Sequence, residues 1–224
     1  MEKEWAKGKC HLEDRVEDLR QNYTQGELLE SSLPESPFGL FQTWFTQASE
    51  SEAIKEPNAM VLSTQDGDRV DSRIVLLKGL EDSSFLFFSN YESHKGKQLL
   101  ANDHCTLLFP WVHLERQIII RGRATKQTEE KSAKYFSSRP RASQLGAWAS
   151  EQSNPINSRE DLQKQLDEIG TKFMDSEVTK PLHWGGYVVH PYEIEFWQGR
   201  ESRLHDRILY TKIGDSWQTQ RLQP

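Results

Sequence analysis

The sequence predicts a mainly β fold with helices, an antiparallel barrel of about eight short strands carrying helical decoration. Three observations support this. From Ala59 onward, short β-rich runs follow one another with turn residues between them, so that neighbours pair as hairpins. The longer helical runs gather into residues 37–49 and 127–175, two blocks rather than a strand-by-strand alternation. Seven Trp and ten Phe in 224 residues supply enough apolar bulk to fill one substantial core.

Residues 1–25 are expected to be a flexible N-terminal segment, strongly polar, with only a weak amphipathic hint at Leu12, Val16 and Leu19. Residues 26–224 read as a single domain, since no linker interrupts them. Ser36-Pro37 gives an N-cap and a first-turn proline, and Phe38, Leu40, Phe41, Trp44 and Phe45 form the apolar stripe of a helix ending near Ser49. Met60 to Ser63 and Val70 to Leu77 are strands joined by the turn Asp66-Gly67-Asp68, a hairpin signal because glycine tolerates the left-handed backbone a tight turn needs. Phe85 to Phe88, Thr106 to Phe109 and Gln117 to Arg123 are further strands. Ser93 caps a short helix running to Leu100.

The second helical block comprises Glu129 to Phe136, Ser143 to Ala149 and Arg159 to Phe173, broken by Pro140 and Pro155. Strands return at Tyr187 to Val189, Ile194 to Trp197, Arg207 to Tyr210 and Trp217 to Leu222. Between the second and third of these lies the richest stretch of the chain. Glu195 to Arg207 reads as a loop holding two large aromatics, a histidine and three arginines.

Composition narrows the function classes. With 28 Lys+Arg against 34 Asp+Glu the net charge is −6, which argues against a nonspecific nucleic-acid binder or an anionic-membrane binder. Two cysteines, Cys10 and Cys105, make no disulfide framework and point to a reducing cytoplasm. The N-terminal residues lack an apolar signal region and no run has the length of a membrane span. His183, His190 and His205 lack metal-ligand spacing, so no metal is expected. Ser202, His205 and Asp206 are too close along one segment to converge as a triad. Neither a GxGxxG run nor a Walker loop is present.

Several segments suit a phosphorylated aromatic ligand. Arginine offers planar charged forks and histidine donates or accepts near neutral pH, so Arg203, His205 and Arg207 beside Trp197 suit an anionic ring. The alternative is a surface hairpin whose charges pair among themselves. In Arg73-Ile74-Val75-Leu76-Leu77-Lys78, strand alternation sends Arg73, Val75 and Leu77 one way and Ile74, Leu76 and Lys78 the other, so the two charges are expected to serve different pockets. Ser93-His94-Lys95 opens a helix whose free N–H groups can hold a phosphate; solvated terminal residues would look the same. Gln117 begins an apolar strand and needs partners for its amide, from a ligand or a backbone carbonyl. Tyr135, Arg139 and Ser143 are spaced by four, a helix end, a turn and the next N-cap that can converge on a phosphate.

These motifs, with Trp197-Gln198-Gly199 and Arg203-Leu204-His205-Asp206-Arg207, resemble in order those of the pyridoxine (pyridoxamine) 5′-phosphate oxidase family, and the match runs from about residue 20 to the C-terminus. The resemblance implies the FMN-binding split barrel, an antiparallel Greek-key barrel with flanking helices that forms a homodimer with FMN at the interface. It implies oxidation of pyridoxine 5′-phosphate or pyridoxamine 5′-phosphate to pyridoxal 5′-phosphate, with O2 as electron acceptor and H2O2 released.

By the same resemblance, Arg203 and His205 are catalytic, and Lys78, Tyr135, Arg139, Ser143, Arg203, Leu204 and His205 bind substrate, with Arg20 and Tyr23 in a segment that closes over it. FMN is assigned to Arg73, Ile74, Val75, Leu76, Leu77, Lys78, Phe88, Ser89, His94, Lys95, Gln117, Gln152, Ser153, Trp197 and Arg207. His94 stands where the family usually has arginine, which implies a weaker or more pH-dependent hold on FMN. Two other functions compete: a related split-barrel flavin reductase, and a flavin or pyridoxal-phosphate carrier without turnover.

Overall fold

A computed structural model describes residues 22–224; the expected N-terminal helix and Arg20 lie outside the described residues. The first helix, α1 (Pro37–Glu50), begins at the expected proline, but the Ser36 side chain makes no capping bond. Its start is held instead by burial of Pro37, Leu40, Phe41 and Trp44 against the core.

Strands β1 (Ala59–Asp66) and β2 (Arg69–Leu76) form the predicted hairpin, with Asp66 opposite Arg69 and Gly67 at φ +55° in the turn. A strand the sequence reading lacked follows, β3 (Gly79–Glu81), paired with β4 (Ser84–Asn90). Its turn uses Asp82 and Ser83 at positive φ rather than glycine, so it carries no hairpin signature. Helix α2 (His94–Ala101) starts where expected, with the Ser93 hydroxyl accepting from Gly96 N (3.3 Å). Then come β5 (His104–Trp111) and β6 (Arg116–Lys126), three helices, α3 (Glu129–Ser138), α4 (Arg141–Ala149) and α5 (Arg159–Lys172), and the strands β7 (Trp184–Gln198), β8 (Asp206–Ile213) and β9 (Ser216–Leu222).

The nine strands form one antiparallel sheet in the order β2-β1-β5-β6-β7-β4-β3, with β8 on β7 and β9 on β8. β7 organises it. Along one edge it pairs with β6 from Tyr187 to Gln198; along the other it pairs first with β4, from Trp184 to Val189, and then with β8, from Glu193 to Gln198. The sequence reading made two strands of this one because Pro191 interrupts it. The proline is accommodated at a register shift in the β6–β7 ladder, opposite Gly122, where a missing N–H leaves no regular bond unmade. The expected loop from Glu195 is correspondingly shorter, since Glu195 to Gln198 belong to β7.

The barrel closes as β2 comes against β4, with Lys78 N donating to Leu86 O (2.8 Å). Inside it Met60, Leu62, Phe87, Leu107, Ile118 and Ile120 are fully buried. Helix α1 lies on this core, with Phe41 edge-on to Phe85 (5.1 Å) and Trp44 edge-on to Phe196 (5.3 Å). A second cluster, Phe136, Phe173, Val178 and Trp184, joins the α3–α5 block to the start of β7. Among the described residues no helix is long and apolar enough to cross a membrane.

A side chain at Gly122 would place Cβ 2.7 Å from His190 O, a backbone atom that cannot swing away. Gly122→Ala is expected to cost about 1–3 kcal/mol by overpacking. Urea unfolding should show a lower midpoint at unchanged slope.

Candidate active site

A cavity of about 790 Å3 opens between the edge strand β2, the start of α2, the α3–α4 corner and the loop after α4. Arg73, Ile74, Val75, Leu76 and Lys78 all border it. The expectation that Arg73 and Lys78 serve different pockets is therefore corrected. The cavity lies along the free edge of β2 and is open to both of its faces, so Ile74, Leu76 and Lys78 border it together with Arg73 and Val75. Leu77, assigned to the same ligand, instead turns into the core, with its N–H donating to Asn58 O (2.8 Å).

Cations dominate the cavity. At the N-terminus of α2, Lys95 is buried and its Nζ donates to Ser93 Oγ (3.2 Å). Burial, with a smaller contribution from the nearby Arg73 charge, lowers its pKa to about 8. His94 borders the same space, its ring nitrogens 3.6 Å from Asp66 and 3.7 Å from Asp71. Helix N–H groups and a desolvated ammonium together make an anion site.

The opposite wall is the α3–α4 corner. Arg139 is the residue that ends α3, and its guanidinium lies over the Trp184 ring (4.6 Å). Burial lowers its pKa, and its buried Nη1 has no hydrogen-bond partner among the described residues. A buried, unpaired guanidinium nitrogen bordering a cavity calls for an acceptor supplied by a ligand. The rings of Phe88, Tyr135 and Trp184 lie nearly parallel, with Phe88 3.9 Å from Tyr135 and 5.3 Å from Trp184, and form an apolar face. Ser143 also borders the cavity, but from within α4; the N-cap position belongs to Pro140. Gln144 fixes the corner, its Nε2 donating to Phe136 O, Ser137 O and Arg139 O. Ser89, Gln152 and Ser153 complete the lining, with Ser153 in the left-handed region at φ +79°.

The sequence reading did not include Trp184 or Gln144. Trp184 carries no motif of its own; its role follows from starting the strand that runs beneath Arg139. Gln144 acts on its neighbours' carbonyls, which only the folded corner brings together.

The remaining predicted residues form a second cluster. Trp197, on β7, packs on His205 (4.6 Å) and Tyr23 (5.8 Å), and Tyr23 also meets His205 (5.6 Å). His205 Nδ1 accepts from Arg200 N (3.1 Å), which leaves the proton of the neutral ring on Nε2. Burial and the adjacent Arg203 charge lower its pKa, so the neutral form prevails at physiological pH. Arg203 and Leu204 are exposed, and Ser202 and Arg203 both have positive φ.

Gln117 pairs with Trp197 across the β6–β7 ladder, and its amide makes no hydrogen bond to any described residue. Arg207 already donates Nε to the buried Glu195 (2.8 Å) and Nη1 to Gln223 O (3.0 Å). None of Tyr23, Gln117, Trp197, Arg203, Leu204, His205 and Arg207 borders this cavity. Trp184 and Trp197 lie near opposite ends of β7, roughly 40 Å apart along the strand at its usual rise.

Comparison with known proteins bears on both clusters. Residues 47–173 match the family model described as pyridoxamine 5′-phosphate oxidase, and residues 184–224 match the pyridoxine 5′-phosphate oxidase C-terminal dimerisation region. A pyridoxine/pyridoxamine 5′-phosphate oxidase of Christiangramia forsetii is 46% identical over 214 residues, covering 95% of this chain and 100% of its own. One of Salinibacter ruber is 47% identical over 215 residues, covering 94% and 99%. Among solved structures, PhzG of Burkholderia lata, in complex with tetrahydrophenazine-1-carboxylic acid, superposes with a TM-score of 0.82 at 28% identity, covering 90% of this chain and 100% of that one. A pyridoxamine 5′-phosphate oxidase-related, FMN-binding protein of Nostoc punctiforme shares the fold, with a TM-score of 0.66 at 12% identity over 86% of this chain and 100% of its own.

Because the free Lys95 loses its proton above about pH 8 and an anion requires the charged form, binding of a phosphate monoester should weaken as pH rises. The ligand's own second ionisation, near pH 6, is complete there. Titration calorimetry between about pH 7 and about pH 9.5 should show affinity level at first and then falling by up to about tenfold per pH unit, with Lys95→Arg flattening the fall.

Proposed function

The chain belongs to the pyridoxine/pyridoxamine 5′-phosphate oxidase family, and we propose that it oxidises pyridoxine 5′-phosphate or pyridoxamine 5′-phosphate to pyridoxal 5′-phosphate with FMN. The observation that carries this reading is the orphaned Arg139 Nη1 over Trp184, facing a cavity with Arg73, Lys78 and Lys95 on its other sides. Four cations flank a stacked aromatic face. Such a site fits ligands that join phosphates to planar rings.

The residues present suit two phosphates. Arg73 and Lys95, with His94 and the first turn of α2, would hold that of FMN, while Gln152 and Ser153 supply further polar contacts. Lys78, Tyr135, Arg139 and Ser143 would hold that of the substrate, each charge-assisted hydrogen bond contributing about 1.5–3 kcal/mol. When bound, FMN supplies the two-electron acceptor for the hydride from C4′ and passes the electrons to O2, giving H2O2.

The chain's own task is placement. Fixing the substrate phosphate at Arg139 leaves the pyridine ring little freedom, and a near-attack geometry removes much of the entropic part of the barrier. His205, neutral with its proton on Nε2, donates toward the ring rather than taking a proton through Nδ1, which Arg200 N occupies. Arg203 supplies fixed positive charge beside it. With the amine substrate, the oxidised carbon is then hydrolysed and ammonia leaves.

Arg203 and His205 reach a cavity only if a second copy brings them. Residues 184–224 match a dimerisation region, and edge strand β2 leaves Ile74 71% exposed at the cavity rim. A two-fold homodimer would set the Trp197–His205 cluster of each copy against the cavity of the other, enclosing FMN at the interface.

Two measurements test this. Anaerobic addition of pyridoxine 5′-phosphate to the FMN-loaded protein should bleach the oxidised-flavin absorbance; a flavin that stays yellow removes the oxidase reading. Arg139→Met and Arg203→Ala should each be nearly inactive, yet refolding an equal mixture should restore about a quarter of wild-type activity, since half the dimers then hold one intact site. No recovery would mean that both residues serve a site within one protomer.

A further inference from the structure

Gln98 belongs to none of the ligand-contacting motifs, yet it sits at the centre of the densest polar network beside the cavity. It lies on α2 one turn beyond His94 and Lys95, on the same helix face, and is only 3% exposed. Its Oε1 accepts from Thr64 Oγ1 (2.5 Å) and from Arg73 Nη2 (3.3 Å), and its Nε2 donates to Asp71 Oδ2 (2.6 Å). Arg73 Nη1 donates to Leu62 O (3.3 Å) and to the same Thr64 hydroxyl. The inner side of the guanidinium is thus taken up by the protein. Its Nε–H makes no bond to any described residue.

We propose that Gln98 is the positioning residue that aims Arg73 at the ligand phosphate and holds the anion-binding turn of α2 in register with β2. The inference rests on the FMN reading given above. One amide does three things at once. Its oxygen fixes the Arg73 fork, its nitrogen holds the Asp71 carboxylate, which Arg69 also engages through Nη2 (3.0 Å), and its backbone belongs to the helix that carries Lys95. Asp71 borders the cavity, where a free carboxylate would oppose an anion; bound to Gln98 and Arg69 it is oriented and partly neutralised. Without Gln98, Arg73 loses an acceptor and gains freedom to pair with Asp71 instead of the ligand.

A buried glutamine can also be merely a satisfied core residue, and the test separates the two roles. Equilibrium affinities of the apoprotein for FMN and for riboflavin are measured by quenching of flavin fluorescence. The proteins compared are wild type, Gln98→Met, Arg73→Met and the double variant, with thermal midpoints of the apoproteins recorded alongside. Gln98→Met should weaken FMN about tenfold, the scale of one charge-assisted hydrogen bond, and change riboflavin less than about twofold. In the Arg73→Met background the same change should alter FMN affinity less than about twofold, because the two residues act as one unit.

Equal losses in both backgrounds, equal losses for riboflavin, or an unchanged FMN affinity would each overturn the role. If Gln98→Met does not fold, Gln98→Asn keeps the amide but is too short to span from α2 to Arg73, and the same loss is expected. A wild-type protein that binds neither flavin overturns the FMN reading and this inference with it, whereas wild-type binding with an indifferent Gln98 overturns the inference alone.

Discussion

A single strand has to satisfy two neighbours on one edge. β7 is too long for either β4 or β8 alone, and it hands over from one to the other around Pro191, where it has no N–H to offer and, at Tyr192, bulges by one residue against Arg121 and Gly122 of β6. Everything functional is arranged about that handover. Its first half brings Trp184 beneath the α3–α4 corner and pairs with the strand that carries Phe88 and Ser89. Its second half carries Trp197 and, through β8, fixes the turn that bears Arg203 and His205. The cation-lined cavity and the histidine cluster lie near opposite ends of β7 and apart within one chain, and the proposed homodimer would join them.

The cavity itself is electrostatically unsettled. Lys95 and Arg139 both lie in surroundings that disfavour their charged forms, and Arg139 Nη1 finds no partner among the described residues. Desolvation of this kind lowers the stability of the protein without ligand and is repaid when an anion arrives, so that part of the affinity is prepared during folding. The aromatic stack of Tyr135, Phe88 and Trp184 serves the same end from the apolar side. It gives Arg139 a face to rest on and keeps the guanidinium from folding back into solvent.

Local chemistry was legible in the sequence and long-range closure was not. The Ser93 cap and the Asp66-Gly67-Asp68 hairpin were readable because their signals lie within a few residues of the structure they make. β3 was invisible because Asp82 and Ser83 adopt left-handed backbone without the glycine that usually announces it. β7 was split because a proline inside a central strand argues against that strand unless the bulge beside it, at Tyr192, is already known. Most of the cavity lining was reached through the family resemblance, and the bare residues left those assignments open. Gln144, Trp184 and Gln98 escaped both routes, since each acts on atoms that only tertiary contact brings near. Arg73 and Lys78 meet one cavity because it lies along the free edge of β2, where residues of both faces border it, and an edge position is a long-range fact.

Ser153, Ser202 and Arg203 hold left-handed backbone angles that a non-glycine residue adopts at a cost of about 1–3 kcal/mol each. Anyone engineering this protein for heat resistance by relieving such angles would be led to glycine at those positions. Two of them form the turn that presents Arg203 and His205, and the third adjoins Gln152 at the cavity mouth. The substitutions that most readily raise a melting temperature would therefore loosen the parts that most need to stand still, and a search guided by stability alone would select a sturdier and slower protein.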